Sequence, residues 1–156
     1  RTVGGVNMDA LSVAGLAKNV VVIGKGKSQL DAYLDRALAA QGRVATVEPT
    51  PEKGYYYRSD HFSFAKHGLP MLYFEGGEDL VNGGTAAGMA AAEDYTKNRY
   101  HGPKDEYDPN WDWSGVAADL KLYYDVGRAL AETTDWPNWV EGDEFRAIRD
   151  KDRAGQ

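Results

Sequence analysis

Cysteine is absent from the chain. That removes disulfides and thiolate metal ligands at once, so any metal has to be held by Asp, Glu or His. It leaves the compartment open, because exported and cytosolic proteins can both do without Cys. No apolar run approaches the ~20 residues needed to cross a bilayer, and no charged stretch followed by an apolar one opens the sequence. A positive balance is missing too: the formal charge is −6, and Lys25, Lys27, Arg36 and Arg43 are scattered among acids. Binding by neutralisation of phosphates is not expected, and nucleic acid is not an expected partner.

Two further signatures fail. Gly24-Lys25-Gly26-Lys27-Ser28 ends like a phosphate-binding loop, but Val21 stands where the first glycine is required. There is no Gly-x-Ser-x-Gly elbow, and no Ser, His and acid set favours a serine hydrolase. Trp111, Trp113, Trp136 and Trp139 could form a sugar platform, but aromatics beside a helix are more often packing anchors.

What is present is ordinary for a globular protein: 156 residues, 42% apolar and 27% charged. A compact fold of that length buries roughly 70% of the surface of the unfolded chain, enough for one core. Thr2 to Met8 reads as a strand that delivers Asp9 at its carboxy end, and the β-branched run Val20 to Ile23 as a strand buried on both faces. Ser28-Gln29-Leu30-Asp31 resembles a capping box opening a helix that Gly42 stops. With Val44 to Val47 as the next strand, this makes a βαβ-like unit.

Phe62 to His67 fits a short helix, Met71 to Phe74 another strand, and Ala86 to Tyr95 a helix in a Gly- and Ala-rich stretch. A long helix from Ser114 to Glu132 is predicted with Val116, Leu120, Tyr123, Tyr124, Gly127 and Leu130 as its apolar stripe. The end of the chain is expected to pack near Trp136 and Trp139 and to fray after Phe145. Alternating strands and helices predict an α/β fold, a mixed sheet flanked by helices, with its ligand site beyond the carboxy ends of strands.

Three polar segments carry the chemistry. Asn7-Met8-Asp9 places a carboxylate just beyond a strand, Arg58-Ser59-Asp60-His61 leads into the short helix, and Tyr100-His101-Gly102-Pro103-Lys104-Asp105 lies in a loop. Each has a plain alternative: Asp9 as a turn former or cap, His101 as a solvated side chain, Tyr100 as a packed aromatic, Asp105 as a cap on a turn.

In this order the segments resemble the second half of the aminopeptidases and carboxypeptidases that use two co-catalytic zinc ions. That family also includes glutamate carboxypeptidases, glutaminyl cyclases and the inactive transferrin-receptor ectodomain. The resemblance runs from about Thr2 to Trp139. It implies that Asp9, in the family's Asn-x-Asp, binds one zinc and that His101, in Tyr-His-x-x-x-Asp, binds the other, the two approaching each other at one end of the sheet. It also implies that the Tyr100 hydroxyl donates to the tetrahedral intermediate. By the same resemblance Asp60 and His61 are expected to shape the substrate pocket rather than bind metal, and Asp105 to orient the loop or the imidazole. Gly102 departs from the family pattern, which has Thr there. His67 reads as a surface residue.

The family's first metal-binding His, its bridging Asp and its Glu pair lie before the Asn-x-Asp, and only eight residues precede Asp9. The resemblance therefore implies a partial active site and an incomplete sheet. Residues 1–139 are read as the carboxy-terminal part of a zinc peptidase domain, and residues 140–156 as a charged tail. The missing amino-terminal half of the same protein is the expected partner, a peptide the expected substrate, and the chain alone is expected to be inactive. The implied function is metal-dependent hydrolysis of peptide bonds near a chain end, with aminopeptidase placed ahead of carboxypeptidase and a periplasmic or extracellular location. The alternative is a non-catalytic binding or scaffolding domain of the same fold.

Overall fold

The computed structural model describes residues 2–155. Four strands form one mixed sheet: β1 (Gly5–Asn7), β2 (Asn19–Val22), β3 (Val44–Val47) and β4 (Met71–Gly76), in the order β1-β4-β2-β3. β1 runs parallel to β4 with Asn7 opposite Tyr73, and β2 runs parallel to β3 with Asn19 opposite Val44. The central pair, β2 and β4, is antiparallel. Five α-helices accompany the sheet: α1 (Asp31–Gln41), α2 (His61–Ala65), α3 (Gly84–Asn98), α4 (Ser114–Ala131) and α5 (Arg146–Ala154). The α/β class and the four strands agree with the sequence reading.

Strand alternation sorts side chains onto the two faces. On one face Val20, Val22, Leu72 and Phe74 pack against Leu30, Leu34 and Leu38 on the α1 side and Leu122, Tyr123 and Val126 of α4. On the other face Ile23 and Tyr73 meet Tyr56, Ala65, Trp139 and Phe145. Because β2 contributes to both, its unbroken valine run is explained: Val20 and Val22 face one core while Val21 leans on the other. β1 and β3 are the edges, and β3 leaves Val44 and Val47 about 60% and 66% exposed.

Three local expectations are corrected. The capping box does not form: the Ser28 hydroxyl accepts from the Leu30 amide at 3.2 Å, but the Asp31 carboxylate turns to the Gly26 amide at 2.6 Å. The Gly-Lys-Gly-Lys turn is thereby closed by its own acid. At the other end of α1, Gly42 does adopt the left-handed conformation, φ 65°.

The apolar stripe of α4 is rotated from the predicted one. Gly115, Val116, Asp119, Leu122, Tyr123 and Val126 face inward, whereas Leu120 and Tyr124 are 47% and 61% exposed. The inward row contains a charged residue, Asp119, whose carboxylate meets the buried Arg43 guanidinium at 2.8 Å. An apolar-only reading skips that position and slides onto the neighbouring row.

The chain does not fray after Phe145 but forms α5. Arg149 is buried and donates to the carbonyls of Thr2 at 3.1 Å and Val3 at 2.7 Å, tying α5 to the entry of β1. The turn at Gly68 lets α5 come close: a Cβ there would stand 2.8 Å from the Arg149 nitrogen. Trp139, fully buried, donates from its indole to the Gly68 carbonyl at 2.9 Å, so this tryptophan is a packing anchor.

Candidate functional site

β1 leaves the sheet at Asn7, so Asp9 falls just past the carboxy end of a strand, with its side chain exposed. Its neighbour in the sheet is parallel β4, whose carboxy end therefore lies at the same edge of the molecule. Tyr73 and Glu75 sit two apart on β4 and share one face. The Tyr73 hydroxyl donates to Oε1 of Glu75 through a short contact and lies 3.4 Å from Oδ2 of Asp9. Burial pushes the Glu75 carboxyl above its ordinary range; the charges of Asp9 and Glu48 act in the same direction, while the Tyr73 hydrogen bond opposes them. Burial also raises the Tyr73 phenol, with Glu75 adding to it.

Below this acidic edge lies His61, the first residue of α2, with no exposed surface. Its ring packs 5.0 Å from Tyr73 and edge-on to Tyr56 at 4.6 Å. Neither ring nitrogen has a hydrogen-bond partner among the described residues. Burial lowers its pKa to about 4, although Asp9 and Asp60 favour the charged form. The side chain is therefore a neutral prop beneath β4 at neutral pH. Asp60 stands exposed at the start of α2, where its side chain makes no capping hydrogen bond. His67 is exposed.

His101 follows α3 in a loop and takes a left-handed backbone, φ 56°. Asp105 supports that turn: one carboxylate oxygen accepts from the His101 amide at 3.4 Å and from the Tyr95 hydroxyl at 3.1 Å. Its contact is thus with the backbone of His101 and not with the imidazole. The exposed His101 ring stacks on Tyr100 with centroids 3.9 Å apart, and Tyr100 itself is 54% exposed. The far end of the loop is pinned next to the segment that follows Asp9. The Asp112 amide donates to the Val13 carbonyl at 3.0 Å, and the Leu16 amide donates to the Ser114 hydroxyl at 3.1 Å. Gly115 permits the approach, since a Cβ there would fall 2.3 Å from the Gly15 carbonyl oxygen.

The structure thus brings Asp9 together with Tyr73 and Glu75, and His101 together with Tyr100 and Asp105. No hydrogen bond or ion pair joins the two groups, and among the described residues no three His, Asp or Glu side chains gather as a metal site. Taken singly, the donors suit zinc, which accepts carboxylate oxygen and imidazole nitrogen. Asp9 and His101 are exposed, and neither is engaged in an ion pair among the described residues.

Sequence reasoning missed Glu75 and Tyr73. The signal was available: an acid closing the apolar run Met71-Leu72-Tyr73-Phe74 sits, like Asp9, at the carboxy end of a strand, where α/β ligand sites form.

In comparisons with known proteins, the model of peptidase family M28 matches residues 1–124. No curated protein and no solved structure matches. The matched residues include Asp9, Tyr73, Glu75 and His101 and end inside α4, so Trp139 and α5 lie beyond them.

Proposed function

The chain belongs to peptidase family M28, whose fold is that of metallo-exopeptidases acting on peptides, and on that premise we propose that it contributes Asp9, His101 and Tyr100 to the active site of a zinc-dependent aminopeptidase. The observation that carries the reading is the placement of an exposed Asp9 carboxylate at the carboxy end of β1, within the matched residues, beside a strand end that also carries Glu75. Members of the family typically bind two zinc ions, which when bound polarise the scissile carbonyl and lower the pKa of the attacking water.

The residues of this chain have separate tasks. Asp9 offers a carboxylate to one metal and His101 an imidazole to the other. The Tyr100 hydroxyl, on the ring stacked against His101, donates to the carbonyl oxygen as that oxygen gains negative charge. Asp60 stands exposed beside the peptide pocket, His61 supports that wall from beneath β4 without reaching the surface, and Asp105 holds the loop that carries His101.

The charge at this edge favours the amino terminus of a peptide. Among the described residues Asp9, Glu48 and Glu75 have no cationic partner, and one Glu48 carboxylate oxygen is buried without a hydrogen bond. An approaching ammonium group is attracted there and a terminal carboxylate repelled. The test is peptide hydrolysis by the zinc-loaded enzyme with its full donor set. Release of the first residue from a free peptide, and no cleavage of its N-acetylated form, is the expected result. Release from the carboxy end would make it a carboxypeptidase, and no hydrolysis at either end would return the fold to a binding role.

A further inference from the structure

β3 is an outer strand of the sheet, and no described residue pairs with its free side. Which of its main-chain groups face out follows from the register. The Val44 amide donates to the Lys18 carbonyl at 3.1 Å, so Val44 and, two positions on, Thr46 turn their main-chain groups toward β2. Ala45 and Val47 turn theirs outward. The free row ends there in both directions: the Arg43 amide is spent on the Leu38 carbonyl at 3.0 Å, and Pro49 has no N–H to offer. Edge strands are commonly guarded by a charged side chain, a proline or a bulge. The residues of β3, Val-Ala-Thr-Val, include none of these, and both valines are exposed.

We infer that β3 pairs edge to edge with β3 of a second copy of this chain, antiparallel about a two-fold axis at Thr46. In that register Ala45 stands opposite Val47 of the second copy, and the reverse. Each such pair exchanges both its hydrogen bonds, so every outward group is used. Ala45 and Val47 share the face on which Ala45 leans against the core, so apolar side chains meet apolar ones there. On the other face Thr46 meets its own copy, a favourable cross-strand pair, and Val44 lies across from Glu48. The two Glu48 carboxylates end up roughly 13 Å apart along the pair, beyond the ~8 Å over which exposed charges act at physiological salt. β3 carries no charge that would select an extended segment of a different protein, whereas its own copy matches it position by position.

The absence of cysteine lets a single introduced one report the register. Thr46→Cys places two sulfurs across the two-fold axis, where directly opposed residues that are not hydrogen-bonded lie about 4.5 Å apart, within reach of a disulfide. Val44→Cys is the control: the position is more exposed than Thr46, but its two copies lie roughly 13 Å apart. The full-length protein is taken through sedimentation equilibrium over a range of concentrations, and the two cysteine variants through mild oxidation and a non-reducing gel. The inference expects a concentration-dependent dimer, a disulfide-linked dimer from Thr46→Cys and little from Val44→Cys. Val47→Lys, at a position 66% exposed, should abolish the dimer at an unchanged thermal midpoint.

A wild type that stays monomeric throughout overturns the inference and leaves the edge to a different occupant or to none. Linkage of Val44→Cys as readily as Thr46→Cys overturns it too, since collision alone would then account for both. A dimer that survives Val47→Lys places the contact elsewhere, for instance on β1, with the same consequence. The Thr46 hydroxyl donates to the Val20 carbonyl at 3.0 Å, so Thr46→Cys has a structural cost; if that variant does not fold, Val47→Lys decides.

Discussion

The hydroxyl of Tyr123, on α4, donates to the main-chain carbonyl of Phe74, on β4, at 2.5 Å, while the two rings stack with centroids 4.1 Å apart. Helix and strand are thus joined twice by one side chain, in a region with no exposed surface at Phe74. Tyr123→Phe keeps the stacking and leaves a buried carbonyl without that donor. The expected loss is about 1 to 3 kcal/mol of folding stability, measured by denaturant unfolding; an unchanged midpoint and slope would mean that the carbonyl is satisfied elsewhere.

The Arg43–Asp119 pair, with side chains 4% and 2% exposed, ties the start of β3 to the inward face of α4. Burial raises the Asp119 carboxyl, and the guanidinium opposes that shift. Arg43→Met strands a buried acid, and the cost should be about 3 to 5 kcal/mol. Adding Asp119→Leu should restore most of it, because two apolar groups of similar size need no partner. A double variant as unstable as the single one would show that the pair does more than neutralise itself.

His61 predicts a particular acid sensitivity. Its pKa falls from 6.5 to about 4 on folding, because burial disfavours the imidazolium. Above pH 6.5 both states are neutral and its contribution is complete. As pH drops from 6.5 toward 4 the unfolded chain takes up a proton that the folded one resists, and stability is lost by up to about 3 kcal/mol. A His61→Phe variant should lose correspondingly less between pH 7 and pH 4.5. Parallel pH profiles for the two proteins would show that His61 is not the group responsible.

The strands were legible in the sequence because their patterns are local. Val20 to Val22 and Met71 to Phe74 are apolar runs of strand length, and the structure pairs both near the predicted bounds. What stayed hidden depends on distant partners. Asp119 looks like a surface residue until Arg43 is placed beside it, and the charged α5 looks like a fraying tail until Arg149 finds the carbonyls of Thr2 and Val3. At the candidate site the motifs marked Asp9 and His101, whereas the nearness of Tyr73 and Glu75 to Asp9 follows from the register that sets β4 beside β1.

Tyr100→Phe removes a hydroxyl and keeps the ring that stacks on His101. A donor aimed at charge that develops during the reaction stabilises the transition state more than the bound substrate. The expected effect on the enzyme is a fall in kcat of about 100- to 1000-fold with little change in KM, read from steady-state kinetics. An unchanged kcat would leave Tyr100 as a stacking partner for His101 alone.

Asp9 and His101 are proposed as donors to different metals, and zinc content tests this most directly. Metal analysis of the purified enzyme with its full donor set, beside its Asp9→Asn and His101→Ala variants, should find two zinc ions in the wild type and one fewer in each variant. Two zinc ions retained in both variants would contradict the assignment.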